Sequence, residues 1–201
     1  MVQGKPEKRH PRLGYAGLQL VMVMQALYDT LKQRFPLGEF TAQRDNLAFI
    51  TLEAVRLYPL LRYLRDHEGF SHLVLLTAVD WLEEGQFQLT YLLNNRAKCQ
   101  DVGLRVMIPR DQASMESIHD LWPAASTYQR ELREMFGIDF PGSPRVNEEF
   151  ILEGWNDMPP YRRDFDTLEY ARKTYRDRPG RETRDPAAHM KQQLYGDKGD
   201  V

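Results

Sequence analysis

Cysteine is almost absent from this sequence: Cys99 is the only one among 201 residues. The chain therefore cannot close an internal disulfide, nor supply the ligands of an iron–sulfur cluster or a cysteine-rich zinc site. That scarcity fits a reducing compartment. Histidine offers no substitute, because His10, His67, His72, His119 and His189 never fall at a spacing that puts two ligands on one face of a helix or strand. No protein-bound metal is expected in this chain. An excess of one charge is also missing: 27 Lys and Arg face 29 Asp and Glu, a net charge of −2. Such a balance gives no field to recruit nucleic acid or an anionic membrane, so the expected partner is protein. Long apolar runs are missing too. The run over residues 18–26 is interrupted by Gln19 and Gln25, with Asp29 close behind, and it stops far short of the ~20 residues a membrane span needs. The first ten residues lack the charged-then-apolar layout of a signal peptide.

What is present reads as alternating helices and strands. Leu20, Val23, Met24, Leu27, Tyr28 and Leu31 recur at helical spacing and predict an amphipathic helix over 15–35, ended by Pro36 and Gly38. The short apolar stretch 47–52 predicts a strand. Pro59 suits a first turn, which predicts a helix over 59–68 that buries Leu60, Leu61 and Leu64 and stops at Gly69. Residues 72–79 show no polar alternation and read as a central strand covered on both faces. Residues 86–93 and 102–108 alternate with period two and join it in an antiparallel meander. Ser114 then caps an expected short helix burying Met115, Ile118, Leu121 and Trp122, closed by Pro123. The fold class is α+β: a mainly antiparallel sheet flanked by helices, with an extended C-terminal tail that has no core of its own. Three parts follow: an N-terminal helix over 1–38, an α+β domain over 39–140, and a partner-docking tail over 141–201 whose end is expected to be mobile.

The stretch 126–138 carries the densest signal. Ser126 at the N-cap with Gln129 three residues on reads as a capping box, Gly137 as the left-handed residue after the helix, and Ile138 as folding back onto Leu132. Arg130, Glu131, Arg133 and Glu134 are spaced for an ion-pair lattice along the helix. On a solvent face such pairs contribute a few tenths of a kcal/mol each, whereas at an interface they set register and partner choice. The helix therefore reads as a docking surface formed by Gln129, Arg130, Glu131, Arg133 and Glu134. The tail adds Trp155 and the pair Arg162 and Arg163, which follow Pro159 and Pro160. A competing reading makes the chain a soluble enzyme acting on an anionic substrate through Glu131 and Glu134 as acid and base, with Arg162 and Arg163 as the anion clamp. Asp80 reads as a turn cap, His119 as a packed or partner-facing imidazole, and Cys99 shows no activating neighbour.

Four segments occur in an informative order: Leu75-Leu76-Thr77-Ala78-Val79-Asp80, Tyr91-Leu92-Leu93, Ser117-Ile118-His119-Asp120-Leu121-Trp122-Pro123, and Gln129-Arg130-Glu131 followed by Glu134-Met135-Phe136-Gly137-Ile138. Together they resemble the 30 kDa subunit family of respiratory complex I, a module also found in energy-converting membrane-bound hydrogenases. The resemblance covers about residues 40–165 and includes Phe150-Ile151-Leu152-Glu153-Gly154-Trp155 and Pro159-Pro160-Tyr161-Arg162-Arg163-Asp164-Phe165. The family signature opens Glu-Arg-Glu, whereas this chain has Gln129-Arg130-Glu131, and the His-Pro-Asp-Leu-Arg-Arg segment of quinone-reducing members is replaced around Ser143-Pro144-Arg145.

The resemblance implies a cofactor-free structural subunit in the peripheral arm of a membrane oxidoreductase, on the cytoplasmic face, touching the membrane only through the complex. Its implied neighbours are a hydrogenase-derived large subunit (49 kDa-like) and a small subunit (20 kDa-like) with the terminal iron–sulfur cluster. The assembly would couple electron transfer to ion translocation, as an NADH:quinone oxidoreductase or a membrane-bound hydrogenase, with the departures above leaning toward the latter.

Overall fold

The computed structural model describes residues 15–175 and Met190. The readings of the first ten residues as leaderless and of the chain's end as mobile lie outside the described residues. The chain divides into two units, Met1–Phe165 and Asp166–Val201. In the first, α1 (Tyr15–Lys32) precedes β1 (Phe40–Arg44), β2 (Leu47–Thr51), α2 (Ala54–Asp66), β3 (His72–Trp81), β4 (Gln86–Asn95), β5 (Gln100–Pro109) and α3 (Ala125–Phe136). The second contains α4 (Thr167–Thr174), where the Asp166 carboxylate accepts the N–H groups of Leu168 and Glu169.

The strands form one sheet in the order β1-β2-β5-β4-β3, antiparallel throughout except for the parallel pair β2 and β5. The α+β reading with a mainly antiparallel sheet holds. The meander places β4 between β3 and β5, while α2 carries the chain from β2 across the sheet to β3, packing on β5 as it goes. This leaves β3 at the edge rather than the centre. The unalternating run has another cause: the register shifts between Leu73 and Leu75. A bulge changes the phase of the pleat, so Leu73 lies on the core side before it and Leu76, Ala78 and Asp80 after it. Val79 and Trp81 face outward, 44% and 39% exposed, so one face of the strand is open.

Even-numbered residues of β5 (Val102, Leu104, Val106, Ile108) and odd-numbered residues of β4 (Phe87, Leu89, Tyr91, Leu93) point to the same side and are buried. Against them pack Leu57, Leu60, Leu61 and Leu64 of α2, Met24, Tyr28 and Leu31 of α1, and Leu132, Met135 and Phe136 of α3. Helix α2 begins five residues before Pro59, which sits inside it. The proline removes one helical N–H, yet the burial of four leucines on one face outweighs that loss. Two further differences from the sequence reading are local: one strand it did not foresee and one helix that is not formed. Strand β1 carries no apolar alternation (Phe40-Thr41-Ala42-Gln43-Arg44) and is set by its pairing with β2. Residues 114–122 form a bridge, an irregular stretch and one turn rather than a helix, because Met115 donates to the Asp139 carbonyl and Asp139 to that of Ala113. Met115, Ile118, Leu121 and Trp122 are buried all the same.

Candidate partner interface on helix α3

Helix α3 begins at Ala125, two residues earlier than the capping box implied, and Ala124 at its N-cap is itself helical. The N–H groups of Ala125, Ser126 and Thr127 bond the carbonyls three residues back, so the preceding turn already satisfies them. Ser126 instead turns its hydroxyl to the Pro123 carbonyl at 2.8 Å. The C-terminus follows expectation: Gly137 is left-handed with φ 75°, and both its N–H and that of Ile138 reach back to the last turn.

Gln129 is wholly buried. Its side-chain oxygen accepts from Ser117 Oγ at 2.8 Å, and Ser117 Oγ lies 3.0 Å from His119 Nδ1, so the glutamine ties residues 117–119 to the helix. The amide nitrogen of Gln129 has no hydrogen-bond partner among the described residues.

The expected lattice along α3 is absent; its charges are drawn to other segments. Arg130 stacks over the Phe150 ring at 5.2 Å and lies 3.9 Å from Glu148. Arg133 lies 3.8 Å from Asp139. The Glu134 carboxylate accepts three backbone N–H groups in succession, from Phe150 (2.5 Å), Ile151 (2.9 Å) and Leu152 (3.0 Å). A carboxylate offers about four lone-pair sites, and here three bind one turn of chain. Glu131 is half-buried, and its side chain makes no hydrogen bond or ion pair with any described residue.

The segment that follows is laid along the end of α3 and the sheet. Tyr161 donates its N–H to the Met135 carbonyl at 3.0 Å, and Arg162 Nε caps that of Phe136 at 2.8 Å. A Cβ on Gly137 would come within 3.1 Å of the Arg162 guanidinium and 3.2 Å of Pro159, so both its φ and this approach call for glycine. Trp155 donates to the carbonyls of Asp157 and Met158, and its ring lies 5.6 Å from that of Phe165.

Asp80 anchors the segment. Rather than capping a turn, it is buried at the end of β3, where its two oxygens take Arg110 Nε (3.0 Å) and Nη2 (3.2 Å), and one also takes the Arg163 N–H at 2.9 Å. Arg110 Nη2 reaches on to Asp164 at 2.5 Å, and the Arg163 guanidinium pairs with Glu83 at 2.6 Å. The hydrogen bond to Asp80 raises the Arg110 pKa against the opposing effect of burial, and the hydrogen bond from Arg110 lowers that of Asp164.

Sequence reasoning missed Asp80, Arg110 and Asp164 as a group. One signal was available: Arg110 has the parity of Ile108, which pairs with Phe87, which pairs with Asp80, so the meander puts both on the core side of one sheet end. Glu134 is taken up by the N–H groups of residues 150–152, Arg162 by the Phe136 carbonyl, and the Arg163 guanidinium by Glu83.

The family model described as "Respiratory-chain NADH dehydrogenase, 30 Kd subunit" matches residues 50–171. The C subunit of the NADH-quinone oxidoreductase of Cereibacter sphaeroides is 31% identical over 76% of this chain and 77% of its own length. Its counterpart from Moorella thermoacetica is 29% identical, over 71% and 95%. The C/D 2 subunit of the Aquifex aeolicus oxidoreductase is 34% identical over 54% of this chain, which spans only 18% of that longer protein. Among solved structures, a chain of the membrane-bound sulfane sulfur reductase, an archaeal respiratory membrane complex, superposes with a TM-score of 0.72 at 28% identity, over 81% of this chain and 97% of that one.

Proposed function

The chain belongs to the family of the 30 kDa subunit of the respiratory-chain NADH dehydrogenase, a family of complex-I-like oxidoreductase subunits, and from that premise we propose that it is a non-catalytic structural subunit of a peripheral arm. In this reading it holds a hydrogenase-derived large subunit and an iron–sulfur small subunit in the geometry that electron transfer requires, on the cytoplasmic face of the membrane. No helix among the described residues is long and apolar enough to cross a membrane, so membrane contact would come through the other subunits. The clusters would reside in those subunits, and ion translocation in the assembly as a whole.

The observation that carries the proposal is the likeness over nearly the full length of a chain from an archaeal respiratory membrane complex. That likeness supports a place in a respiratory membrane complex, and Gln129, where the family signature has glutamate, favours the hydrogenase-like side of the family. The curated relatives, which are NADH-quinone oxidoreductase subunits, support the quinone-reducing alternative. Copurification from the native membrane decides between them: a nickel-binding large subunit marks the first, a diaphorase subunit the second. Stoichiometric iron or nickel, or turnover by the isolated chain, would overturn the structural role.

Within α3, Glu131 is the charged residue that no described residue engages. Glu131→Gln is expected to weaken copurification while leaving the melting temperature of the isolated chain unchanged. A large drop in that temperature would place its role inside the fold.

A further inference from the structure

We propose that the open face of the sheet binds a single carboxylate of a neighbouring subunit at Arg105, an inference that rests on the chain being part of a complex. Gly103 faces Phe49 across the parallel pair β5 and β2. A Cβ there would lie 2.3 Å from two carbons of the Phe49 ring, so the glycine lets the ring lie down on the sheet. The ring then forms a platform for Arg105, two residues further along β5, whose guanidinium carbon stands 3.9 Å from the ring centre. Three residues on two strands thus hold one guanidinium in a fixed place.

That guanidinium has no acceptor among the described residues. Six arginines of the described residues are half-buried: Arg65, Arg105, Arg110, Arg130, Arg133 and Arg162. Five of them bind a carboxylate or a carbonyl. The Arg105 side chain alone makes no hydrogen bond or ion pair with any described residue. It borders a cavity of about 460 Å³, whose walls include Leu37, Leu52 and Met107, with Gln88 and Glu53 alongside. A planar fork of donors beside apolar walls complements a carboxylate on a short hydrocarbon stem. Glu53 disfavours a second negative charge in the same cavity, so the occupant carries one.

The surroundings favour a protein over a small anion. Met107 pairs with Gln88, and Gln88 with Val79, so one cross-strand row leads from the cavity to the exposed apolar edge at Val79 and Trp81. The occupant is therefore an Asp or Glu side chain from a partner's segment lying across this face.

The test uses the assembled complex. The photocrosslinking residue p-benzoylphenylalanine is placed at position 107, the complex purified and irradiated, and the joined peptide identified by mass spectrometry. A peptide of another subunit with an Asp or Glu within a few residues of the crosslink is expected. A crosslink within this chain, to a segment without an acid, or to nothing in an assembled complex would overturn the inference. In parallel, Arg105→Gln should reduce copurification about tenfold with the melting temperature of the full isolated chain unchanged, and Arg105→Lys should restore part of it. Equal copurification of wild type and Arg105→Gln would sink the Arg105 site and leave the subunit reading standing. If the wild-type chain copurified with no other subunit, the subunit reading itself would fail.

Discussion

Two parts of the first unit are held by different physics. The meander β3–β4–β5 with α2 is held by apolar burial: Leu89, Leu93, Val102, Leu104 and Val106 are fully covered, as are the leucines of α2. Residues 147–165 contribute few buried side chains and are held instead by polar latches at known points: Glu134 to three N–H groups, Arg162 to the end of α3, and Asp80 with Arg110 to Arg163 and Asp164. Apolar burial is non-directional and spread over many contacts, while each latch depends on one or two atoms. A domain built this way can lose the segment while its core remains folded.

The sharpest test lies where the two parts meet. Asp80→Ala would leave Arg110 without its main partner at a site where Asp80 itself is 4% exposed, and breaking such a buried pair costs about 3–5 kcal/mol. Both the melting temperature and the protection of residues 161–165 against amide exchange should fall together. Leu89→Ala, in the core alone, should cost about 2–5 kcal/mol, measured by denaturant unfolding, without selective exposure of the segment below the transition. If Leu89→Ala instead freed the segment first, the division between the two parts would be wrong.

The same division marks what was legible in the sequence. Periodicity reports apolar burial, and it located α1, β4 and β5 because each buries one face against a common core; a short apolar run located β2, and end signals located α3. It failed where other causes decide. The bulge in β3 removed the alternation and made an edge strand look central. The bridge at Ser114 and Asp139 replaced an expected helix. Asp80, Arg110 and Asp164 carry no local pattern, since they meet only when three segments far apart in the chain arrive at one sheet end. The charge density of α3 was legible, but its side chains reach Phe150, Asp139 and Glu148 rather than one another, and i,i+4 spacing alone does not tell these apart.

A smaller effect separates the latches from the core. Glu134→Gln keeps the size of the side chain but replaces one carboxylate oxygen with an amide donor facing backbone N–H groups. The loss should be about 1–3 kcal/mol, read as faster proteolysis and amide exchange at residues 150–152, with little change in the urea midpoint of the core. An equal fall in that midpoint would show that the turn at 150–152 is part of the cooperative unit.

The smallest effect is pH-dependent. Asp164 is the outermost member of the Asp80–Arg110 group, its side chain 35% exposed, so its pair with Arg110 should contribute no more than about 1 kcal/mol. Its pKa lies below the ordinary 3.8 because Arg110 donates to the charged carboxylate, with burial acting in the opposite sense. A depressed pKa in the folded state means that folding favours the charged form. The contribution is therefore fully present above the ordinary carboxyl range and is lost as the pH falls through the depressed value. Asp164→Asn should melt slightly below wild type at neutral pH, and the gap should close as the pH is lowered below about 4, the ordinary aspartate range. Since Asp80 and Arg110 are present in both proteins, the difference between the two curves isolates Asp164. A gap that persisted unchanged into acid would mean that the Asp164 carboxylate is held by shape rather than by charge.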